Sequence, residues 1–490
     1  MNIDDLKMTH PAYDEIAKQS NYYYQSFMGG NIYRNGEHLT KYLDEANGMG
    51  NGYLNRLKAT PLDNHVQTTV DIYRSFLFRE LPTRELGFLL DNPLVQEWVS
   101  DTDNEGQSMN SFLKTANDLA MVMGGVWILV DKPTYKVETQ AQEIELGLRA
   151  YACAYSPQNV LDWKYKRNIA GKMILECIKV VEHESPETVT VNMWYPEYME
   201  KYVVRKDEMG NWEDVVSMEQ YENPLGYIPF VFHAPLRSAT KGVGQSLIAD
   251  VADQQRYIYN LLSELEQTVR ISGHPTLVKT PSTDATAGAG SIVTVTEDLD
   301  PGLKPYLLQP NAQGITGILN TIESCVEAIH RMTHTSAIQA RKGQAISGIA
   351  LQTERQLLNA KLSDISDTLR ETELALWNIW FDWQGINKPE DFDVIYPDSF
   401  DLRDRGVELE YMLKSRASGV ANEMYQKEID KQIVLLTIDD DYAQNLIITD
   451  LEEGYKPKPM VDPSNGDTIV ANSAEEEARL SQIGYVYLGN

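Results

Sequence analysis

The sequence predicts an α+β protein in which a mixed α/β region precedes a series of long helices. Three observations carry that prediction. Up to about residue 238, short segments that are continuously apolar or alternate with period two are interleaved with helical patterns and turn residues. Beyond it, apolar residues recur three, four and seven positions apart over long stretches, as they do along one face of a helix. Between the first two of those stretches lies a small island rich in Pro, Gly and Thr.

In chain order, "GVWILVD", "NVLDWKY", "KMILECIKVV", "TVTVNMWY" and "YIPFVFH" are the predicted strands of the mixed region, 1–241. A helix is predicted over 242–273, with Leu247, Val251, Ile258, Leu262, Leu265 and Val269 on one stripe and Gly273 and Pro275 ending it. Such a run is about 45 Å long at 1.5 Å per residue. The island, 274–310, carries two predicted strands, Ile292–Thr296 and Lys304–Leu308, and is too small for a core of its own. A second helix, in 311–332, repeats the stripe at Ile315, Ile318, Ile322, Val326 and Ile329, which places the island at the tip of a helical hairpin.

Residues 332–351, "MTHTSAIQARKGQAISGIAL", contain no Asp or Glu and lead into a third helix that runs from near Ser347 to Gln384. There Leu351, Leu358, Leu362, Ile365, Leu369, Leu376, Trp380 and Trp383 keep heptad spacing for about five repeats. A stripe of this kind fits a core helix, or a helix that faces another subunit or domain. The polar residues over most of its remaining surface weight the reading toward the second. Segment 348–400 completes that part of the chain, a helical zone near Arg405 to Leu436 lies within 401–455, and 456–490 reads as a polar tail.

With 490 residues, 42% hydrophobic and 23% charged, the chain can bury a sizeable core and is long enough for two to four domains. Its formal net charge of -29 argues against a general binder of nucleic acid, since backbone affinity comes from Lys and Arg neutralising phosphates. The longest apolar run, "LAMVMGGVWILV", is short of the roughly 20 residues that cross a bilayer, so no membrane partner is expected. The start lacks a basic and an apolar signal region, and Cys153, Cys177 and Cys325 are too scattered for a metal knuckle. A reducing, intracellular site of synthesis fits these features.

Reaction chemistry finds no motif. There is no G-x-x-x-x-G-K-[ST] loop, no G-x-S-x-G elbow and no H-E-x-x-H, so no catalytic residue and no cofactor is assigned. His330 and His334 have the i, i+4 spacing of two ligands on one helix face, but the position of a metalloprotease's Glu is Arg331, and two ordinary histidines at a helix end explain the spacing. Asp439, Asp440 and Asp441 could hold Mg²⁺ with a phosphate substrate, yet a lone acidic run is more often a solvated turn or helix cap. The glycines of "AGAGS", 287–291, do not follow a strand and open a helix, so they read as a loop and not a phosphate cradle.

The order of parts, together with local stretches such as "DLAMVMGGVWILVD", "YSPQNVLDW", "NPLGYIPFVFH", "GVGQSLIADVADQQRYIYNLLSELEQTVRISGHPTLV" and "SGIALQTERQ", resembles the portal proteins of tailed bacteriophages over roughly 60–450. The resemblance implies an α/β wing, a helical stem (242–273 and 311–332), a clip (274–310), a tunnel loop (333–347), a long helix with a wing return (348–400) and a helical crown (401–455). It implies a homo-oligomeric ring, usually of twelve subunits, at one capsid vertex of the virion. Double-stranded DNA would pass along its axis, and the packaging motor (terminase), neck or adaptor proteins and the major capsid protein would be its partners. In that frame Leu247, Val251, Ile258, Leu262, Leu265, Ile318, Ile322 and Val326 pack the stem, Thr286, Gly288, Gly290 and Val293 lie in the clip, and Arg341, Lys342, Gln339 and Gln344 face the DNA from the tunnel loop. Residues 1–60 and 456–490 match no part of the family. Two other classes remain open on the residues alone: another virion or adaptor protein, and a DNA-packaging enzyme, which would need the nucleotide or metal site that the motifs lack.

Overall fold

The chain is mixed α and β. A computed structural model describes residues 2–46, 52–133, 146–273, 276–280, 300, 302, 304–308, 312–336, 348–400, 405–417, 423–438, 447–448, 451, 458–461, 468–471, 479–480 and 485–487. It divides into two units, Met1–Phe400 and Asp401–Asn490.

The first unit is built on two antiparallel sheets. Strands β1 (Thr83–Glu85), β2 (Val126–Asp131), β3 (Tyr151–Tyr155), β4 (Val160–Arg167), β5 (Met173–Glu184), β6 (Thr188–Trp194), β7 (Tyr198–Lys206), β8 (Trp212–Glu222) and β9 (Phe230–His233) are followed by β10 (Thr276–Val278), β11 (Tyr306–Leu308) and β12 (Asp393–Ile395). One sheet has the order β3-β2-β9, the other is the meander β4-β5-β6-β7-β8. Strand β2 is buried on both faces, which is why its sequence is a continuous apolar run without alternation. Trp127, Tyr155, Trp163, Trp194 and Phe230, contributed by strands of both sheets, pack in one apolar cluster.

The main helices of this unit are α1 (Tyr13–Met28), α2 (His65–Leu77), α3 (Met109–Met123), α4 (Ala249–Gly273), α5 (Ala312–Met332) and α6 (Gly348–Gln384). Helix α3 has Ser108 as its N-cap, accepting from Ser111 N, and Gly124 in the left-handed conformation at its end (φ +90°). Helices α2, α3 and α6 and strand β2 share the largest apolar cluster, in which Trp98, Trp377 and Trp380 pack with ring centroids 5.5–6.3 Å apart. The chain returns from α6 through β12, which pairs antiparallel with β1.

The structure corrects several sequence expectations. Helix α4 begins at Ala249, not 242, so Leu247 precedes it. The island's described strands are β10 and β11, paired antiparallel, and Ile292–Thr296 lies outside the described residues. Strands β3, β7 and β8, not singled out in the sequence, are present; the long, mostly exposed β8 lacks any apolar periodicity to betray it. Helix α6 does not turn its heptad stripe to another subunit: Leu358, Leu362, Ile365, Leu369, Leu376 and Trp380 are all buried in the unit's own core. Some of its polar residues are also buried and partnered within the chain, while Asp364, Asp367, Glu371 and Asn378 are exposed. Ser366 Oγ donates to Pro397 O at 2.6 Å, Thr372 Oγ1 lies 2.8 Å from His233 Nδ1, and Glu373 accepts from Arg84, Trp377 and Tyr396.

In the second unit, helices α7 (Arg405–Ala417) and α8 (Glu423–Thr437) pack together. The presumed polar tail is not structureless: β13 (Lys458–Val461) pairs antiparallel with β14 (Thr468–Ala471) and with β15 (Val486–Tyr487), and Met460 and Leu480 are buried beneath Tyr485. Strands of two to four residues are too short to display a period, which is why composition alone read as a tail.

Candidate functional site

The helical hairpin α4–α5 with the β10–β11 pair at its tip is the part of the fold that the sequence singled out, and the structure shows how it is mounted. Its root is bolted to the end of α3. Leu247 N donates to Met121 O at 2.9 Å and Ser246 Oγ to Val122 O at 2.6 Å, so two carbonyls that helix α3 leaves without internal partners are capped by the segment entering α4. The backbones touch here. A Cβ on Gly244 would lie 1.8 Å from Gly124 O, and one on Gly242, which has φ +76°, would lie 2.5 Å from Trp163 Nε1.

Residues near the N-terminus, without a role in the sequence reading, form the socket for α4. Gln255 is fully buried; its Oε1 accepts from Val66 N at 2.9 Å and its Nε2 donates to Ser26 O at 3.0 Å. Tyr22 donates its hydroxyl to Ala252 O at 2.9 Å, and burial holds that phenol well above its ordinary pKa. Further along, Arg56 and Glu45 form a buried two-point ion pair (3.0 and 2.9 Å), and Arg56 also donates to Ser263 Oγ and Thr40 O while its guanidinium lies 3.6 Å from the Tyr42 ring centroid. Tyr42 Oη donates to Glu264 at 2.8 Å. No residue of α4 beyond Ser263 is buried.

This mounting decides what the named stripe residues do. Val251 and Ile258 are buried in the unit's own core, and Leu247, Leu262, Ile322 and Val326 pack against it from its margin; Leu265 and Ile318 are half-buried. At the root, therefore, residues near the N-terminus and the central core cover the stripe residues that the portal frame assigned to stem packing. Apolar surface is left over on the stripe itself at Val269, 50% exposed, and also elsewhere. Tyr257 and Ile271, with Glu264 between them, recur every seven residues along α4 and are 51% and 46% exposed, and Leu319 on α5 is 46% exposed. The sequence signal for them was the same heptad spacing, one face around from the stripe that was chosen.

The exit from α5 is rigid. Thr335 N donates to His330 O (3.0 Å) and His334 N to Arg331 O (3.4 Å) with His334 at φ +55°, a Schellman turn built on a histidine. Tyr73 Oη holds it by donating to Thr333 O at 2.9 Å, and Thr333 and Thr335 are both buried. Burial, followed by nearby Lys361, pushes the His334 imidazole below its usual pKa. Among the described residues no group of three or more His, Cys, Asp or Glu is placed to hold a metal ion. Arg341, Lys342, Gln339 and Gln344, the glycine-rich Thr286, Gly288, Gly290 and Val293, and Asp439–Asp441 lie outside the described residues.

Two shifted groups of the core, His233 and Asp118, have their hydrogen-bond partners within the chain. His233, fully buried between Thr372 and Asn117, is driven down to about 3 by desolvation and stays neutral, and Asp118 is raised to about 6 by burial against the opposing pull of Arg74. The architecture defines a protein whose distinctive surface is an exposed, rigidly mounted helical hairpin. In comparisons with known proteins, no family model and no curated protein matches the chain.

Proposed function

We propose that the chain is the repeating subunit of a phage-type portal: a closed ring, of about twelve copies by the family's habit, at one vertex of a capsid. It acts as the channel for double-stranded DNA during packaging and ejection and as the platform for the packaging motor and the neck or tail. It is not an enzyme in this reading. The observation that carries the proposal is the α4–α5 hairpin, anchored at its root by residues near the N-terminus and without a fully buried residue on α4 beyond Ser263, with a small β tip between its helices. A heterologous contact repeated by rotation gives each hairpin two neighbours and leaves no open end. The net charge of -29 per chain suits a wall along which a polyanion slides without adhering. Among the described residues no helix is long and apolar enough to cross a membrane, in keeping with a position in the virion.

Negative-stain imaging of the purified chain tests this directly: rings with a central hole support it, and particles of monomer size at micromolar concentration overturn it. A paired substitution sharpens the test. Tyr257→Asp with Ile271→Asp is expected to abolish rings while changing protomer stability by no more than about 0.5 kcal/mol, since both side chains are half exposed. Unaltered rings in that variant would show that the outer face of α4 is not an interface.

The acid-free segment adds a separate expectation. Arg341→Ala with Lys342→Ala should leave rings intact and alter how much full-length genome assembled particles retain across a salt series, because phosphate contacts weaken as salt rises. Equal retention and equal salt dependence in parent and variant would reduce the two cations to solvated loop residues.

A further inference from the structure

The five-stranded sheet ends on two edges of opposite charge. At one edge, the stretch from Trp163 to Leu175, covering the end of β4, its turn and the start of β5, has four cations, Lys164, Lys166, Arg167 and Lys172, and no carboxylate. All four are exposed, as is Ile169 at the tip of the turn. Lys166 and Lys164 reach Glu176 and Asp162 at 3.0 and 3.4 Å, but pairs this exposed hold little energy and leave the cations available. At the other edge, Asp207 to Glu222, the turn before β8 and β8 itself, holds six carboxylates and no cation. Lys201 and Arg205 of β7 stand opposite Glu219 and Asp214 and offset part of that charge, while Glu222 stands opposite Tyr198, so the edge keeps a negative excess.

Strand β8 is eleven residues long, and among the described residues no strand pairs with its outer side. Val216 and Met218 are exposed along it at 52% and 46%, and Met209 in the turn before it at 88%. A long open edge with apolar side chains is a template for another strand unless something covers it. On β4, the backbone of Leu161 is taken by His10 N at 2.9 Å, so the free part of that edge is its basic end.

We propose that the acidic β8 edge of one copy docks on the basic β4–β5 hairpin of the next, a head-to-tail contact that joins neighbouring sheets around the ring. This rests on the ring reading above and names a second set of residues that closes it. The occupant follows from charge. Two β8 edges facing each other would set six carboxylates against six, whereas β8 against the hairpin sets six against four cations. The two edges lie on opposite sides of one sheet, so their contact is heterologous and propagates from copy to copy in the way a ring requires.

The test is a charge exchange on the full chain, read by native mass spectrometry and imaging. Lys164→Glu with Lys166→Glu and Arg167→Glu, and separately Glu208→Lys with Glu213→Lys and Glu222→Lys, should each lower the assembled fraction at least tenfold at unchanged melting temperature. Both sets combined in one chain should restore assembly to within about twofold of the parent, a rescue that general destabilisation cannot produce. Rings that persist in both single sets would overturn the edge contact and leave the ring reading standing; a parent that never assembles would remove both. If reversing the hairpin's charge abolishes binding of a fluorescent duplex DNA and leaves assembly untouched, the hairpin is a nucleic-acid contact and the proposal fails.

Discussion

Arg84→Ala is expected to lower the stability of the protein by about 3–5 kcal/mol, the cost of leaving a buried charge without its partner. Glu373 is 0% exposed, on α6 at the centre of the first unit. Arg84 of β1 donates to it through Nε at 2.5 Å and through Nη2 at 3.3 Å, and Nη2 also donates to Asn110 Oδ1 at 2.7 Å. Trp377 Nε1 (3.1 Å) and Tyr396 Oη (2.6 Å) donate to the same carboxylate, and burial together with that carboxylate drives the Tyr396 phenol well above its ordinary pKa. Without Arg84 each oxygen of Glu373 keeps one neutral donor, Trp377 on Oε1 and Tyr396 on Oε2, but the buried carboxylate loses the cation that pairs with it. Urea or guanidinium midpoints with unchanged slope would measure the loss. A cost below about 1 kcal/mol would show that water reaches the site. Removing both charges while keeping an acceptor, Arg84→Met with Glu373→Gln, should recover part of the loss, because no buried charge is then left unpaired and the Gln oxygen can still accept from Trp377 or Tyr396.

Gly244→Ala is the second large effect expected, at about 3 kcal/mol, the upper end for overpacking. The added methyl would stand 1.8 Å from Gly124 O and 2.8 Å from Ala234 Cβ, and a backbone carbonyl cannot swing aside as a side chain can. The cost falls on the junction that holds the root of α4, so the hairpin's mounting should loosen with it. Gly314→Ala in α5 is the control: no atom lies within 4 Å of its Cβ position, and helix propensity there favours Ala by about 0.5–1 kcal/mol. Thermal melts of the two variants should move in opposite directions. A Gly244→Ala protein as stable as its parent would mean that the two segments can part at little cost.

These effects show where sequence reading reached and where it stopped. Strand β2, helix α3 with its glycine end, and the hairpin's two helices were legible because each displays its period locally and ends at Gly or Pro. The N-terminal socket was not. Gln255, Arg56 and Tyr22 are ordinary polar residues until residues up to 230 positions apart come together, and nothing in their own neighbourhoods marks them as buried. Strand β8 escaped for the opposite reason: exposed on most of its length, it has no apolar alternation, and its partner β7 is what makes it a strand.

Local periodicity was enough to establish the mixed class and the main helices, because hydrogen bonding and amphipathic spacing act over a few residues, while β3, β7 and β8 went unread. Which neighbour each apolar face meets depended on long-range packing. The stripe of α6 and the first half of α4 look the same in sequence as an oligomer seam, yet both are buried in the chain's own core, and the faces left open carry Tyr257, Ile271 and the β8 edge. Burial removes apolar area from water whatever the partner, so a periodic stripe states that a face will be covered, and only the assembled tertiary contacts select what covers it.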